Sequence, residues 1–180
     1  VRGVVDEPEL FDDDVVLQLA TEFEGHPDNA APAIYGGAVV AWMEAKKPHV
    51  AQIPVSPDMG TTLLIPDTEL LTETARSVLP ATVPHQDAAF NASRTALLVL
   101  ALRDRPDLLM QATEDRLHQN YRADAMRASH VAMRSLREAG WPAVISGAGP
   151  SILVFDTLSP EASRMLEETG FHVVIGKPAG

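Results

Sequence analysis

The sequence predicts an α+β fold whose larger part is a ferredoxin-like antiparallel layer carrying helical insertions. Three observations lead there. Short runs rich in β-formers, AVVAWM (38–43), HVAQIPV (49–55), TTLLI (61–65), AVIS (143–146), SILVF (151–155) and FHVVI (171–175), are bounded by turn residues. Longer stretches with apolar residues at helical spacing separate the third run from the fourth, and a shorter one separates the fifth from the sixth. From residue 61 onward the order is therefore strand, helices, hairpin, helix, strand.

Residues 1–11 contain Asp6, Glu7, Pro8 and Glu9 and read as a loop. Asp12, Asp13 and Asp14 then precede Val15, Val16, Leu17, Leu19, Ala20 and Phe23, which predicts a helix over about 13–24 with acidic residues at the positive end of its dipole. A short helix over 30–34 is stopped by Gly36-Gly37. The strands at 38–43 and 49–55 form a hairpin joined through Lys46, Lys47 and Pro48. The turn cluster SPDMG (56–60) marks a domain boundary, dividing 1–57 from 58–180.

Beyond the strand at 61–65, a helix over 68–79 ends at Pro80. A longer one spans 84–103, with Ala88, Ala92, Ala96, Val99 and Leu100 near helical spacing, and a short one follows over 106–112. The stretch 121–139 sets Tyr121, Ala125, Ala132, Leu136 and Ala139 on one face, with Gly140 as C-cap and Pro142 just beyond. The last helix covers 160–169.

Composition excludes several classes. With 46% hydrophobic and 22% charged residues among 180, the chain is ordinary globular protein rather than disordered or fibrous. It holds no run of about 18 apolar residues, no basic-then-apolar leader and no cysteine. Membrane spans, disulfides and thiolate chemistry drop out, and the cytoplasm is the expected compartment. A net charge of -11 argues against a nucleic-acid partner, which needs clustered Lys and Arg. A nucleotide is still allowed, because a few amides and one metal ion offset a triphosphate.

Chemistry-bearing residues concentrate in EFEGHPDNAAPAIYGG (22–37), where Glu22, Glu24, His26, Asp28 and Asn29 hang on a backbone restricted by Pro27 and Pro32. One reading is a helix start capped by Asp28 or Asn29. The other is a site for a cation or a polar substrate group. Farther on, SGAGPS (146–151) is either a tight β-hairpin or a turn whose glycines let amides approach an anion.

HPDNAAPAIYGG and SGAGPS, with LTETAR (71–76), VPHQDAAFNASRTALLVLAL (83–102) and LHQNYR (117–122), resemble the homoserine kinases of the GHMP kinase superfamily. The resemblance implies a GHMP-kinase fold: a ferredoxin-like C-terminal domain preceded by the end of a ribosomal-S5-like N-terminal, ATP-binding domain. It also implies a glycine- and serine-rich loop of the type PxxxGLGSSAA upstream of His26, and no such segment occurs in the sequence. The chain therefore reads as the C-terminal part of an enzyme, expected to be inactive without the N-terminal half that completes the nucleotide site.

The implied activity is ATP-dependent phosphorylation of the L-homoserine hydroxyl in threonine biosynthesis, with Mg²⁺ and a homodimeric assembly. Alternatives are a GHMP kinase for another small alcohol, such as mevalonate, or a non-catalytic ligand-binding domain. Asp28 and Asn29 take the catalytic positions; Asp28 acts either as general base or as the partner of the substrate ammonium. His26, Asp28, Thr72, Arg76 and Arg122 match substrate-binding positions, the two arginines facing a carboxylate with a planar fork that lysine lacks. Alone, either arginine would read as a surface ion-pair residue. Ser146, Gly147 and Gly149 match the cofactor-bordering motif, and Glu22 (alternatively Glu24) matches the magnesium ligand. Tyr35 and Asn91 lie beside these motifs, where core packing or helix capping explains them equally well.

Overall fold

Asp12 accepts a hydrogen bond from the Val15 amide at 2.8 Å, and this cap starts α1 (Asp13–Glu24), which Gly25 ends in the left-handed conformation at φ 80°. The computed structural model describes residues 11–56, 59–68 and 70–178, so nearly all of the loop expected over 1–11 lies outside the described residues. The chain forms two compact units, one reaching Val55 and one spanning Ser56–Lys177.

In the first unit, α1 is followed by α2 (Ala30–Tyr35) and by an antiparallel pair, β1 (Ala38–Glu44) and β2 (Lys47–Ile53). The Tyr35 hydroxyl donates to Asp14 of α1, and Gln52 Nε2 of β2 donates to the Tyr35 carbonyl at 3.1 Å, so three elements are laced through one residue. Burial and the Asp14 carboxylate both push the Tyr35 phenol well above its ordinary pKa. The hairpin turn is tighter than expected. Ala45 and Lys46 alone form it, both at positive φ (48° and 68°), the twist that suits a two-residue connection. Pro48 consequently sits inside β2, opposite Met43, and Trp42 stacks on His49 with ring centroids 5.4 Å apart.

The second unit is built on a four-stranded sheet of β3 (Thr61–Pro66), β4 (Ala143–Ile145), β5 (Ile152–Val154) and β6 (Phe171–Gly176), in the order β4-β5-β3-β6. All neighbours are antiparallel, so β5 splits the parallel pair β3/β4 and β3 splits the parallel pair β5/β6. This is the split arrangement of a ferredoxin-like layer. Leu64, Ile152 and Ile145 pair in one row of that sheet and belong to its buried core, with Met133 and Leu136 of α6 (Arg127–Glu138). Thr62 is fully buried and satisfied: its hydroxyl donates to the Asp156 carbonyl at 2.9 Å and accepts from the Leu158 amide at 3.1 Å.

Between β3 and α6 run α3 (Thr72–Ser77), α4 (His85–Arg103), a 3₁₀ turn (Pro106–Leu108) and α5 (Leu109–Ala112). Two expectations need correcting. The helix expected over 68–79 is confined to α3, because Pro80 and the extended Leu71 leave it little room. The helix expected over 121–139 is a 3₁₀ turn (Ala123–Met126) followed by α6, with the backbone at Met126 broken out of helical geometry at φ −140° and ψ 51°. On α4, Ala92 and Ala96 are exposed, while Asn91, Arg94, Leu98 and Ala101 lie on a more buried side. The chain closes with α7 (Pro160–Glu168), capped by Ser159 through the Ala162 amide, and β6.

Candidate functional site

In the first unit, Gly25 turns the chain out of α1 and the buried Pro27 pins the segment that follows. His26, Asp28 and Asn29 stand exposed around it. Asn29 occupies the N-cap position of α2, yet among the described residues no side chain caps that helix, and Asp28 Oδ1 accepts the neighbouring Asn29 amide alone, at 3.1 Å. The capping reading of this motif is therefore not realised. Its polar side chains are available to a ligand.

Glu22 and Glu24 are exposed on the last turn of α1, and Glu22 accepts a long 3.4 Å bond from Gln18. Two residues apart on a helix, they point to opposite sides and cannot serve one ion together. Among the described residues no group of three or more His, Asp and Glu side chains is arranged to hold a metal. Either carboxylate by itself could give one ligand to an ion such as Mg²⁺, which draws its other ligands from phosphate and water.

In the second unit the segments LTETAR, LHQNYR and SGAGPS come together around one side chain. Arg122 is 9% exposed; its Nε donates to the Ala75 carbonyl of α3 and its Nη1 to the Gly147 carbonyl, both at 3.0 Å. Burial lowers the Arg122 pKa, the Asp115 carboxylate opposes that, and the nearby Arg76 guanidinium adds to it. With Nε and one Nη1 hydrogen committed, Arg122 keeps the two Nη2 hydrogens and the second Nη1 hydrogen for a ligand. Arg76 is exposed on α3. Thr72 opens that helix, and its side chain lies outside the described residues.

SGAGPS forms the turn between β4 and β5. The Ser146 amide bonds the Ser151 carbonyl at 2.8 Å and the Gly149 amide bonds the Ser146 carbonyl at 2.9 Å, so both amides close the turn itself. The Gly147 amide makes no hydrogen bond among the described residues. Gly149 has a steric role: at φ +88° a Cβ there would lie 2.5 Å from Met126 Cε and 3.0 Å from Ile145 Cγ2.

Asn91 is neither core packing nor a cap, because it sits mid-helix in α4 and its Nδ2 donates to Asp115 Oδ1 at 2.7 Å. Asp115 and Gln119 were not singled out by the sequence. A signal existed: an Asp followed by a stretch without apolar periodicity is a residue that organises a turn through its own side chain. A polar cleft of about 600 Å³ opens beside them, lined by residues that include Phe90, Glu114, Arg116 and Arg134. Phe90 lies between the Arg94 and Arg116 guanidiniums, 4.2 and 3.8 Å from its ring centre.

No protein-family model matches the chain. A curated homoserine kinase of Clavibacter michiganensis subsp. michiganensis is 51% identical over 144 residues, covering 80% of this chain and 46% of that protein. The homoserine kinase of Corynebacterium urealyticum is 43% identical over 166 residues, covering 89% of this chain and 54% of that one. Over the part they share, the chain is homologous to the homoserine kinases. It spans about half the length of the curated relatives it matches. Among solved structures, the homoserine kinase from Cytophaga hutchinsonii aligns over 93% of this chain and 58% of that one, with a TM-score of 0.81 at 23% identity. The L. major mevalonate kinase in complex with R-mevalonate aligns over 94% and 60%, with a TM-score of 0.62 at 14% identity. At such identities the likeness concerns the fold alone, and the fold is that of the GHMP kinases.

Proposed function

We propose that the complete protein containing this chain transfers the γ-phosphoryl group of ATP to the hydroxyl of L-homoserine, giving O-phospho-L-homoserine for threonine biosynthesis in the cytoplasm. The observation that carries this reading is Arg122, buried and held between the Ala75 and Gly147 carbonyls where three family-like segments meet, in a chain 51% identical to a homoserine kinase over 80% of its length. Residues 1–57 are then the end of the N-terminal domain and 58–180 the C-terminal domain.

Arg76 and the uncommitted Nη hydrogens of Arg122 take the substrate carboxylate. Asp28 takes the ammonium, or the hydroxyl proton as phosphoryl transfer proceeds; Asn29, His26 and Thr72 orient the same substrate. Phosphoryl transfer depends chiefly on positioning and charge, so a strong base is not required. Mg²⁺, held through Glu22, would neutralise phosphate charge. Of the nucleotide contacts proposed at Ser146, Gly147 and Gly149, the Gly147 amide is the backbone donor left available by the turn. The assembly is a homodimer.

The test is initial-rate kinetics on the full-length protein with ATP and either L-homoserine or R-mevalonate. Turnover of homoserine at a kcat/KM at least a hundredfold above mevalonate supports the reading. Preference for mevalonate, or no turnover of either, overturns it.

A further inference from the structure

Residues 114–122 contain no helix or strand, although the segment carries Arg122. Such a stretch keeps one shape only if side chains replace the missing backbone ladder. Asp115 does so. Its side chain is 13% exposed, and it accepts from the Leu117 amide at 3.1 Å, the His118 amide at 2.8 Å and the Gln119 amide at 2.6 Å. Asn91 Nδ2 adds a further bond at 2.7 Å, and Asn91 Oδ1 accepts from the Arg116 amide at 2.9 Å. The wound segment and the 3₁₀ turn that follows it then meet the end of β4 and the β4–β5 turn at three points. Gln119 Oε1 accepts from the Ile145 amide at 2.8 Å, Arg122 donates to the Gly147 carbonyl, and Met126 packs where a side chain on Gly149 would be.

We propose that Asp115 is a positioning residue for the arginine pair: its carboxylate winds 114–122 into the shape in which Gln119 holds the end of β4 at Ile145 and Arg122 ties the SGAGPS turn to α3. It acts through Arg122, and contacts neither substrate nor nucleotide. Without it, Arg122 loses its fixed place between Ala75 and Gly147, and the carboxylate site loses its preorganisation. The predicted kinetic consequence rests on the homoserine kinase reading; the structural consequence does not.

The experiment uses the full-length protein as wild type, Asp115→Asn and Gln119→Leu. Asparagine keeps the shape but presents one acceptor oxygen in place of two. Leucine at 119 removes only the bond to Ile145 and leaves the Asp115 carboxylate intact, which keeps the idea testable if Asp115→Asn fails to fold. Amide hydrogen exchange is followed in peptides covering 143–151 and, as a control, 38–53. Both variants are expected to exchange roughly tenfold faster in 143–151, with no change in 38–53. The apparent KM for homoserine is expected to rise roughly tenfold in Asp115→Asn, with kcat within about threefold and the KM for ATP unchanged.

Unchanged exchange in 143–151 for Gln119→Leu overturns the strap. Equal acceleration of every peptide from the second unit in both variants overturns it too, because that is plain destabilisation. A fall in kcat with no change in the homoserine KM contradicts the assignment to the carboxylate site. If the turn loosens as expected while wild type phosphorylates no homoserine, the strap stands and the kinase reading falls.

Discussion

The two units use polar side chains in opposite ways. In the first, His26, Asp28 and Asn29 are exposed, and among the described residues the Asp28 carboxylate bonds its neighbour's amide alone. In the second, Arg122, Asp115, Asn91 and Gln119 are turned inward and committed to backbone groups. Free polar groups on an anchored backbone are available for chemistry; committed ones hold the shape on which chemistry depends. Substitutions in the first set should therefore alter turnover at little cost in stability, whereas those in the second should alter both.

The largest effect is expected for Arg122→Ala, which strands the Ala75 and Gly147 carbonyls. Unfolding by denaturant should show a loss of about 3 kcal/mol, together with loss of measurable homoserine binding. A stable variant would show that the committed set is dispensable. Next comes Asp28→Ala in the complete enzyme. Losing a charged partner of a charged ligand costs about 1.5 to 3 kcal/mol, so kcat/KM should fall by one to two decades while the unfolding midpoint stays put. Arg76→Lys, at an exposed position, should raise the homoserine KM about tenfold without changing the KM for ATP or the stability. An equal loss for ATP would move this arginine to the triphosphate.

A smaller effect concerns pH. Burial alone would push the Asp115 carboxyl up, but bonds from the Gln119, His118 and Leu117 amides and from Asn91 outweigh it and hold it below the usual carboxylate range. A depressed carboxylate contributes stability that is fully present above its unfolded pKa of about 3.9 and is lost as pH falls through the lower folded value. Acid titration of stability should thus be shallower below about pH 4 in Asp115→Asn than in wild type. Identical slopes would remove Asp115 from the committed set. Smallest of all, Glu22→Gln should raise the Mg²⁺ requirement a few-fold and Glu24→Gln should leave it alone; the reverse would exchange the two roles.

The same contrast governs what the sequence disclosed. Regular elements were legible because period and punctuation determine them: the three aspartates before Val15 mark the start of α1, and the order of apolar runs from Thr61 onward predicts the ferredoxin-like layer. The irregular stretch 114–122 was read only by resemblance, since no periodicity reports on a segment held by one carboxylate. The alanine spacing of α4 located the helix and no more. Alanine is the best helix former whether or not it is buried, so its spacing locates the helix without identifying the inward face. The helix expected from 121 onward failed at Met126, where the backbone leaves helical geometry before α6 begins. The arginine pair was named from its motifs, but that Arg122 spends Nε and Nη1 on backbone carbonyls follows only from three-dimensional packing.

The most direct test of this division is the homoserine-dependent initial rate of the complete protein, wild type against Asp28→Ala, at saturating ATP and Mg²⁺. The free-group account predicts that wild type phosphorylates homoserine and that the variant, folded as before, loses at least a decade in kcat/KM. A variant that keeps its wild-type rate would mean that Asp28 is only part of the turn between α1 and α2, and would contradict the account.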